Sequence, residues 1–143
     1  MPVRNASAVW NGPLKTGNGE FSGNTGAVKG QYSAGSRFQE DAGSNPEEML
    51  AAASAACFSM ALSGALERNG MTPERIETRA ACTIEKIGEG WKITTMKLDT
   101  TARVGNADPA AFERIAQATK DSCPVSAALQ GNVNMELTAR LES

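Results

Sequence analysis

The sequence predicts an α+β fold, and three observations carry that prediction. Turn-forming residues punctuate positions 3–32 at short intervals, a full set of helix-start residues precedes a long uncharged stretch at Met49–Leu66, and apolar residues alternate through 76–87 and 91–104. At 143 residues and 15.0 kDa the chain has one domain's length, so a single domain over 1–143 is expected. No repeat or low-complexity tract interrupts it.

The elements follow in order. Ser7-Ala8-Val9-Trp10 runs into Asn11-Gly12-Pro13, and further turn signals stand at Gly17-Asn18-Gly19 and between Gly23 and Gly26. Residues 3–32 therefore read as a meander of short β-hairpins. Residues 33–45 have no period and are rich in Gly and Ser, so they read as a loop, and Arg37 lies in it. Asn45 then offers an N-cap, Pro46 suits the first helical position, and Glu47 and Glu48 favour the positive end of the helix dipole, with Glu48 at the capping-box position. The helix runs to Asn69-Gly70, a C-cap pair. Leu50–Leu66 is apolar on nearly all sides, which predicts a helix buried all round.

Beyond Pro73, strands are expected over 76–87 and 91–104, joined at Gly88-Glu89-Gly90. Asp108-Pro109 starts a second helix with Phe112, Ile115, Ala116 and Thr119 at helical spacing. Cys123-Pro124 interrupts it, because proline has no N–H and biases the preceding residue away from helix. A short helix, Pro124 to Gln130, ends at Gly131, and Val133–Leu141 closes the chain as a strand.

Composition excludes several functions. Leu, Ile, Val and Phe together number 23, no more than alanine alone, while the formal charge is only −2. A folded chain with a thin core follows, and a thin core favours subunit association. The pI near 5.2 and interspersed charges leave no basic stripe, so nucleic acid is not expected as a partner. Histidine is absent, which removes Cys-His and Ser-His catalytic pairs and imidazole zinc sites. The 18 uncharged residues of Met49–Leu66 could suggest a membrane span, but they are mostly Ala, Ser and Gly and are bracketed closely by Glu47, Glu48, Glu67 and Arg68. A helix of a soluble protein is the expectation, with no membrane partner. The N-terminus carries no apolar run of signal-peptide type. With an odd number of cysteines, this points to thiols in a reducing cytoplasm rather than a disulfide framework.

Three cysteines could carry chemistry: Cys57, Cys82 and Cys123. Cys57 lies mid-helix among small residues and reads either as a small apolar core residue or as a thiol that needs a nearby cation to ionise. Cys123 would be the N-cap of the short helix at Pro124, where the dipole favours a thiolate; a small polarizable residue at a turn is the equal alternative. Cys82, within Arg79-Ala80-Ala81-Cys82-Thr83-Ile84, reads as strand packing. No CxxC spacing supports a thiolate metal site, and neither metal nor organic cofactor is expected. Arg37 alone reads as a solvated loop cation, and Glu47 as an acid placed by the helix dipole.

The string Asn45-Pro46-Glu47-Glu48-Met49-Leu50-Ala51-Ala52-Ala53-Ser54-Ala55-Ala56-Cys57-Phe58-Ser59-Met60-Ala61-Leu62 closely resembles the central helix of the OsmC/Ohr family, the osmotically inducible protein C and organic hydroperoxide resistance proteins. Cys123-Pro124-Val125-Ser126 matches the family's second signature, and Ser36-Arg37-Phe38 resembles the OsmC branch. The likeness spans essentially the whole chain. It implies antiparallel sheets around a buried central helix, an intertwined homodimer, and a thiol-dependent peroxidase acting on organic hydroperoxides and on hydrogen peroxide. By that resemblance Cys57 is the peroxidatic thiolate and Cys123 the resolving thiol, Arg37 keeps Cys57 ionised and orients the peroxide, and Glu47 orients Arg37. Glu48, its neighbour, is the alternative partner for Arg37. The chemistry fits these residue types, because a thiolate in an apolar site needs an always-charged guanidinium to offset its desolvation. An external dithiol, of lipoyl type in the Ohr branch, would reset the cysteine pair. Cys82 has no counterpart in the family pattern. A redox sensor that oxidises without turnover and a stress-induced binding protein are the alternatives.

Helix geometry adds one expectation. Glu47 and Cys57 are ten residues apart, about 15 Å along one helix and facing different ways. Two copies of the helix crossing antiparallel near residue 52 would place Glu47 of one chain beside Cys57 of the other, so a composite site at a homodimer interface is expected.

Overall fold

The computed structural model describes residues 1–142. The chain forms two compact units, Met1–Met49 and the remainder from Leu50 onward. In the first, strands β1 (Ala6–Asn11), β2 (Asn18–Gly23) and β3 (Lys29–Tyr32) form an antiparallel meander in that order. Tyr32 lies between Trp10 and Phe21, with ring centroids 5.5 and 6.1 Å away.

The segment read as a loop contains a short helix, α1 (Ala34–Phe38). Ser33 and Ser36 cap it reciprocally: the Ser36 N–H donates to Ser33 Oγ at 3.0 Å and the Ser33 N–H donates to Ser36 Oγ at 2.8 Å. That is a capping box with serine in place of the usual glutamate. Ser36 Oγ also donates to the Ser44 carbonyl, and Asn45 Nδ2 donates to the Ser36 carbonyl, so α1 is tied to the residues that open the next helix.

Helix α2 (Pro46–Arg68) starts as the sequence requires, with the Glu48 N–H donating to Asn45 Oδ1 at 2.7 Å. It ends in a Schellman motif: the Met71 N–H bonds Leu66 O, the Gly70 N–H bonds Glu67 O, and Gly70 takes φ +76°, a left-handed conformation that only glycine adopts without strain. The expectation of burial on all sides is corrected. Ser54, Phe58, Leu62 and Leu66 form one sealed row at i, i+4 spacing, whereas Ala52, Ala53, Ala56 and Met60 stay exposed. One chain supplies packing for one face of α2. Met60, 78% exposed, leaves a large apolar side chain uncovered among the small alanines of that other face.

Strands β4 (Thr72–Ile87) and β5 (Gly90–Gly105) form a long antiparallel hairpin, with β4 starting earlier than the alternation suggests and β5 one residue longer at each end. Ile87 pairs with Gly90 across a two-residue turn in which Gly88 has φ +62°. Helix α3 (Pro109–Ser122) is capped by Asp108 and buries Phe112, Ile115, Ala116 and Thr119, the predicted stripe. Helix α4 (Pro124–Leu129) and strand β6 (Asn134–Leu141) complete the chain. The pairing of β6 with β5 is parallel, so the sheet β4-β5-β6 is mixed rather than wholly antiparallel. The two intervening helices form a crossover, and a crossover returns the chain to run alongside β5 in the same direction.

The core of this unit lies on one face of the mixed sheet. Met96, Leu98 and Ala102, alternate residues of β5, pack with Phe58, Leu62 and Leu66 of α2 and with Phe112, Ile115 and Ala116 of α3. Cys123 belongs to the same cluster, and Cys82 packs against it from β4. Opposite signs pair on exposed ground, as in Arg140–Asp99 at 2.7 Å and Arg103–Glu142 at 2.8 Å. Such pairs contribute little stability, because water and salt screen them.

Candidate active site

The four singled-out residues come together as two pairs. In the first unit, α1 and the opening turn of α2 bring Arg37 to Glu47. Arg37 Nη2 donates to Oε1 at 2.7 Å, and Nε donates to Oε1 and Oε2 at 3.1 and 3.3 Å. Glu47 is only 5% exposed. A buried carboxylate needs compensation, and the planar guanidinium supplies it at two donor positions. Glu48 is exposed, with its backbone N–H at the Asn45 cap, so the choice between the two acids falls on Glu47. The Arg37 guanidinium also lies 5.3 Å from the centre of the Phe38 ring. Beside it a cleft of about 290 Å³ is lined by Trp10, Leu14, Tyr32, Phe38 and Pro46 among others. Arg37 thus combines a fixed positive charge with an apolar surround.

In the second unit, Cys57 on α2 and Cys123 at the head of α4 are close enough for their thiols to interact. No disulfide joins the three cysteines. Cys57 is half-buried and Cys123 is sealed, 1% exposed. Burial pushes the Cys57 thiol above its ordinary pKa, the Val125 backbone N–H pulls it back, and the neighbouring Cys123 thiol pushes it further up. An amide at the start of α4 is therefore directed at Cys57. Cys123 is the N-cap of α4, as expected, but its sulfur makes no capping bond to the helix backbone. It lies 3.0 Å from Ser126 Oγ instead, and Ser126 is also 1% exposed.

Sequence reading placed Cys123 at the helix terminus, where it lies, and passed over Ser126 and the Val125 amide. The N-cap-to-N3 spacing of Cys123 and Ser126 is the signal that could have found the serine. On α2, the Ser54 hydroxyl one turn before Cys57 is fully buried and has no hydrogen-bond partner among the described residues.

Comparison with known proteins shows the family of the chain. A family model described as OsmC-like protein matches residues 39–138. The chain is 38% identical over 134 residues to the peroxiredoxin OsmC of Escherichia coli (strain K12), covering 93% of this chain and 94% of that one. It is 33% identical over 97 residues to the organic hydroperoxide resistance protein OhrB of Bacillus subtilis (strain 168), covering 66% and 68% respectively. The crystal structure of an organic hydroperoxide resistance protein OsmC from Legionella pneumophila has the same fold, with a TM-score of 0.74, 21% identity and full coverage of both chains. Both cysteines and Glu47 fall inside the matched segment and Arg37 lies just ahead of it. The chain belongs to the OsmC-like protein family.

Proposed function

We propose that this chain is a cysteine-based hydroperoxide reductase working through Cys57 and Cys123. The observation that carries the reading is the juxtaposition of the two thiols, with the Val125 N–H directed at Cys57. The names of two relatives, a peroxiredoxin and an organic hydroperoxide resistance protein, support the same class of reaction.

In this reading the Cys57 thiolate attacks the terminal oxygen of R–O–O–H. The O–O bond breaks, the alkoxide takes a proton and leaves as the alcohol, and Cys57 is oxidised to the sulfenic acid. The Cys123 sulfur then attacks Cys57, water leaves, and a disulfide joins the two. An external dithiol, such as a lipoyl group, reduces it by exchange and is itself oxidised, the cycle running in a reducing cytoplasm. No metal or organic cofactor takes part.

The raised pKa of Cys57 is the obstacle, and Arg37 is the residue suited to offset it, because a guanidinium stays charged at all working pH values. We take the whole chain as one functional domain that acts as a homodimer, with the Arg37–Glu47 pair of one protomer serving Cys57 of its partner. The exposed Ala52, Ala53, Ala56 and Met60 face of α2 supports such an assembly, since small residues let two helices approach closely. The apolar surround of Arg37 suits the organic part of a hydroperoxide.

The test is a count of free thiols per denatured chain before and after one equivalent of an organic hydroperoxide. A fall from three to one, absent in Cys57→Ser and in Cys123→Ser, is expected. An unchanged count of three defeats the reading. A single oxidation that no dithiol reverses would make the protein a sensor.

A further inference from the structure

We propose that Ser126 is the positioning residue for disulfide formation: its hydroxyl, 3.0 Å from the Cys123 sulfur, holds that sulfur through the attack on oxidised Cys57. This rests on the peroxidase reading above and assigns a residue to its second step. Three observations lead to it. Cys123 and Ser126 are each 1% exposed, so water cannot partner the sulfur. As N-cap of α4, Cys123 would ordinarily draw on the backbone N–H groups of the first turn, yet its side chain accepts none of them. The Val125 N–H serves Cys57 instead. The Ser126 hydroxyl is left as the Cys123 sulfur's polar partner in that turn.

A hydroxyl suits this task because it both accepts and donates. In the reduced protein the Cys123 S–H donates to Ser126 Oγ. As the proton passes to the hydroxide departing from Cys57, the hydroxyl rotates and donates to the sulfur, whose developing negative charge would otherwise be buried without a partner. The step then balances within the protein. Cys57–S–OH and HS–Cys123 give the disulfide and one water: the Cys123 sulfur forms the S–S bond, the Cys57 S–O bond breaks, and the departing hydroxide takes the Cys123 proton. Cys123 is oxidised and Cys57 is reduced from the sulfenic level. Loss of one hydrogen bond to a charged group should slow this step about ten- to a hundredfold.

The experiment mixes the reduced full chain rapidly with one equivalent of tert-butyl hydroperoxide. Dimedone trapping of the Cys57 sulfenic acid and the loss of free thiols are followed separately by mass spectrometry. Ser126→Ala should form the sulfenic acid within about twofold of the unmodified rate, accumulate it, and close the disulfide ten- to a hundredfold more slowly. Ser126→Thr and Ser126→Val have nearly the same shape and differ in the hydroxyl, so any packing defect is common to both; closure should be fast in the first and slow in the second. Equal closure rates in the threonine and valine variants, or an unslowed alanine variant, would overturn the role of Ser126. If the unmodified chain forms neither sulfenic acid nor disulfide, the peroxidase reading fails first and this assignment goes with it.

Discussion

Replacing Glu47 by glutamine tests the first of the two pairs most directly. The carboxylate accepts from Arg37 Nη2 at 2.7 Å and from Nε at 3.1 and 3.3 Å, and it is 5% exposed. An amide of the same shape keeps one acceptor oxygen but turns an N–H₂ donor toward a guanidinium that is itself all donors. At least one charge-assisted bond is lost, and such a bond is worth ~1.5–3 kcal/mol when sheltered. The Arg37 side chain is 38% exposed, so water takes over part of its solvation. The expected destabilisation is therefore about 1–2 kcal/mol, well below the ~3–5 kcal/mol of a fully buried pair broken on one side. Glu48→Gln is the control, since that side chain is exposed and should change stability by less than ~0.5 kcal/mol. Urea unfolding of both variants, analysed with a common slope, reads the difference. Hydroperoxide turnover should fall at least tenfold in Glu47→Gln, because the guanidinium loses its fixed orientation, and remain near the unmodified level in Glu48→Gln. Two variants of equal stability and equal activity would refute the view that the Arg37–Glu47 pair is held, and used, as a unit.

Three other predictions concern assembly and pH. Ala56→Arg places a charge on the exposed face of α2 without touching the sealed row, so each chain should stay folded while sedimentation shows dimer giving way to monomer and turnover disappears; a fully active monomer would defeat the composite site. Within a single chain, burial holds the Cys57 thiol above its ordinary value near 9. The folded state thus binds the proton more tightly than the unfolded state, and this group's contribution to stability is complete below the unfolded pKa and lost as pH rises through the folded one. The urea midpoint of the reduced Ala56→Arg monomer, where no partner's guanidinium reaches Cys57, should be insensitive to Cys57 up to about pH 8.5 and decline above it, with the decline reduced when Cys57→Ala is added. Arg37→Met should raise the pH at which iodoacetamide alkylates Cys57 half-maximally; an unchanged profile would mean that Arg37 does not reach the sulfur.

Local chemistry made most of the fold legible. The α2 cap at Asn45 and its Schellman stop at Gly70 depend on neighbouring residues alone, and both form as the sequence demands. The α3 stripe is equally self-contained, because its period places Phe112, Ile115, Ala116 and Thr119 on one face whatever they meet. The departures share a cause in longer-range structure. Parallel pairing of β5 with β6 is set by where the crossover lands, which strand alternation does not encode. The exposed face of α2 has a composition that suits burial, but one chain does not supply what would bury it. Helix α1 is the exception: its serine caps are local, yet Ser-x-x-Ser is too common in Gly/Ser-rich sequence to announce a helix by itself.

The site obeys the same division, and Cys123 illustrates why. Its sequence position at a proline-led helix start argues for the more reactive sulfur, and the N-cap assignment is correct. Reactivity, however, depends on where the amide points, and the Val125 N–H points at Cys57, a residue 68 positions away in sequence. A helix terminus offers its donors outward along its axis, so they reach whatever packs against that end rather than the cap residue itself when the cap side chain turns elsewhere. Here the cap sulfur turns to Ser126. One turn of chain can therefore serve both thiols at once, with the backbone lowering the cost of an anion on Cys57 and the serine hydroxyl holding Cys123 beside it. Two neighbouring thiols that drew on the same donor could not both be sustained through a two-step oxidation. Separate donors remove that conflict, and for that reason substitutions at Arg37 and at Ser126 should separate the two chemical steps rather than slow both.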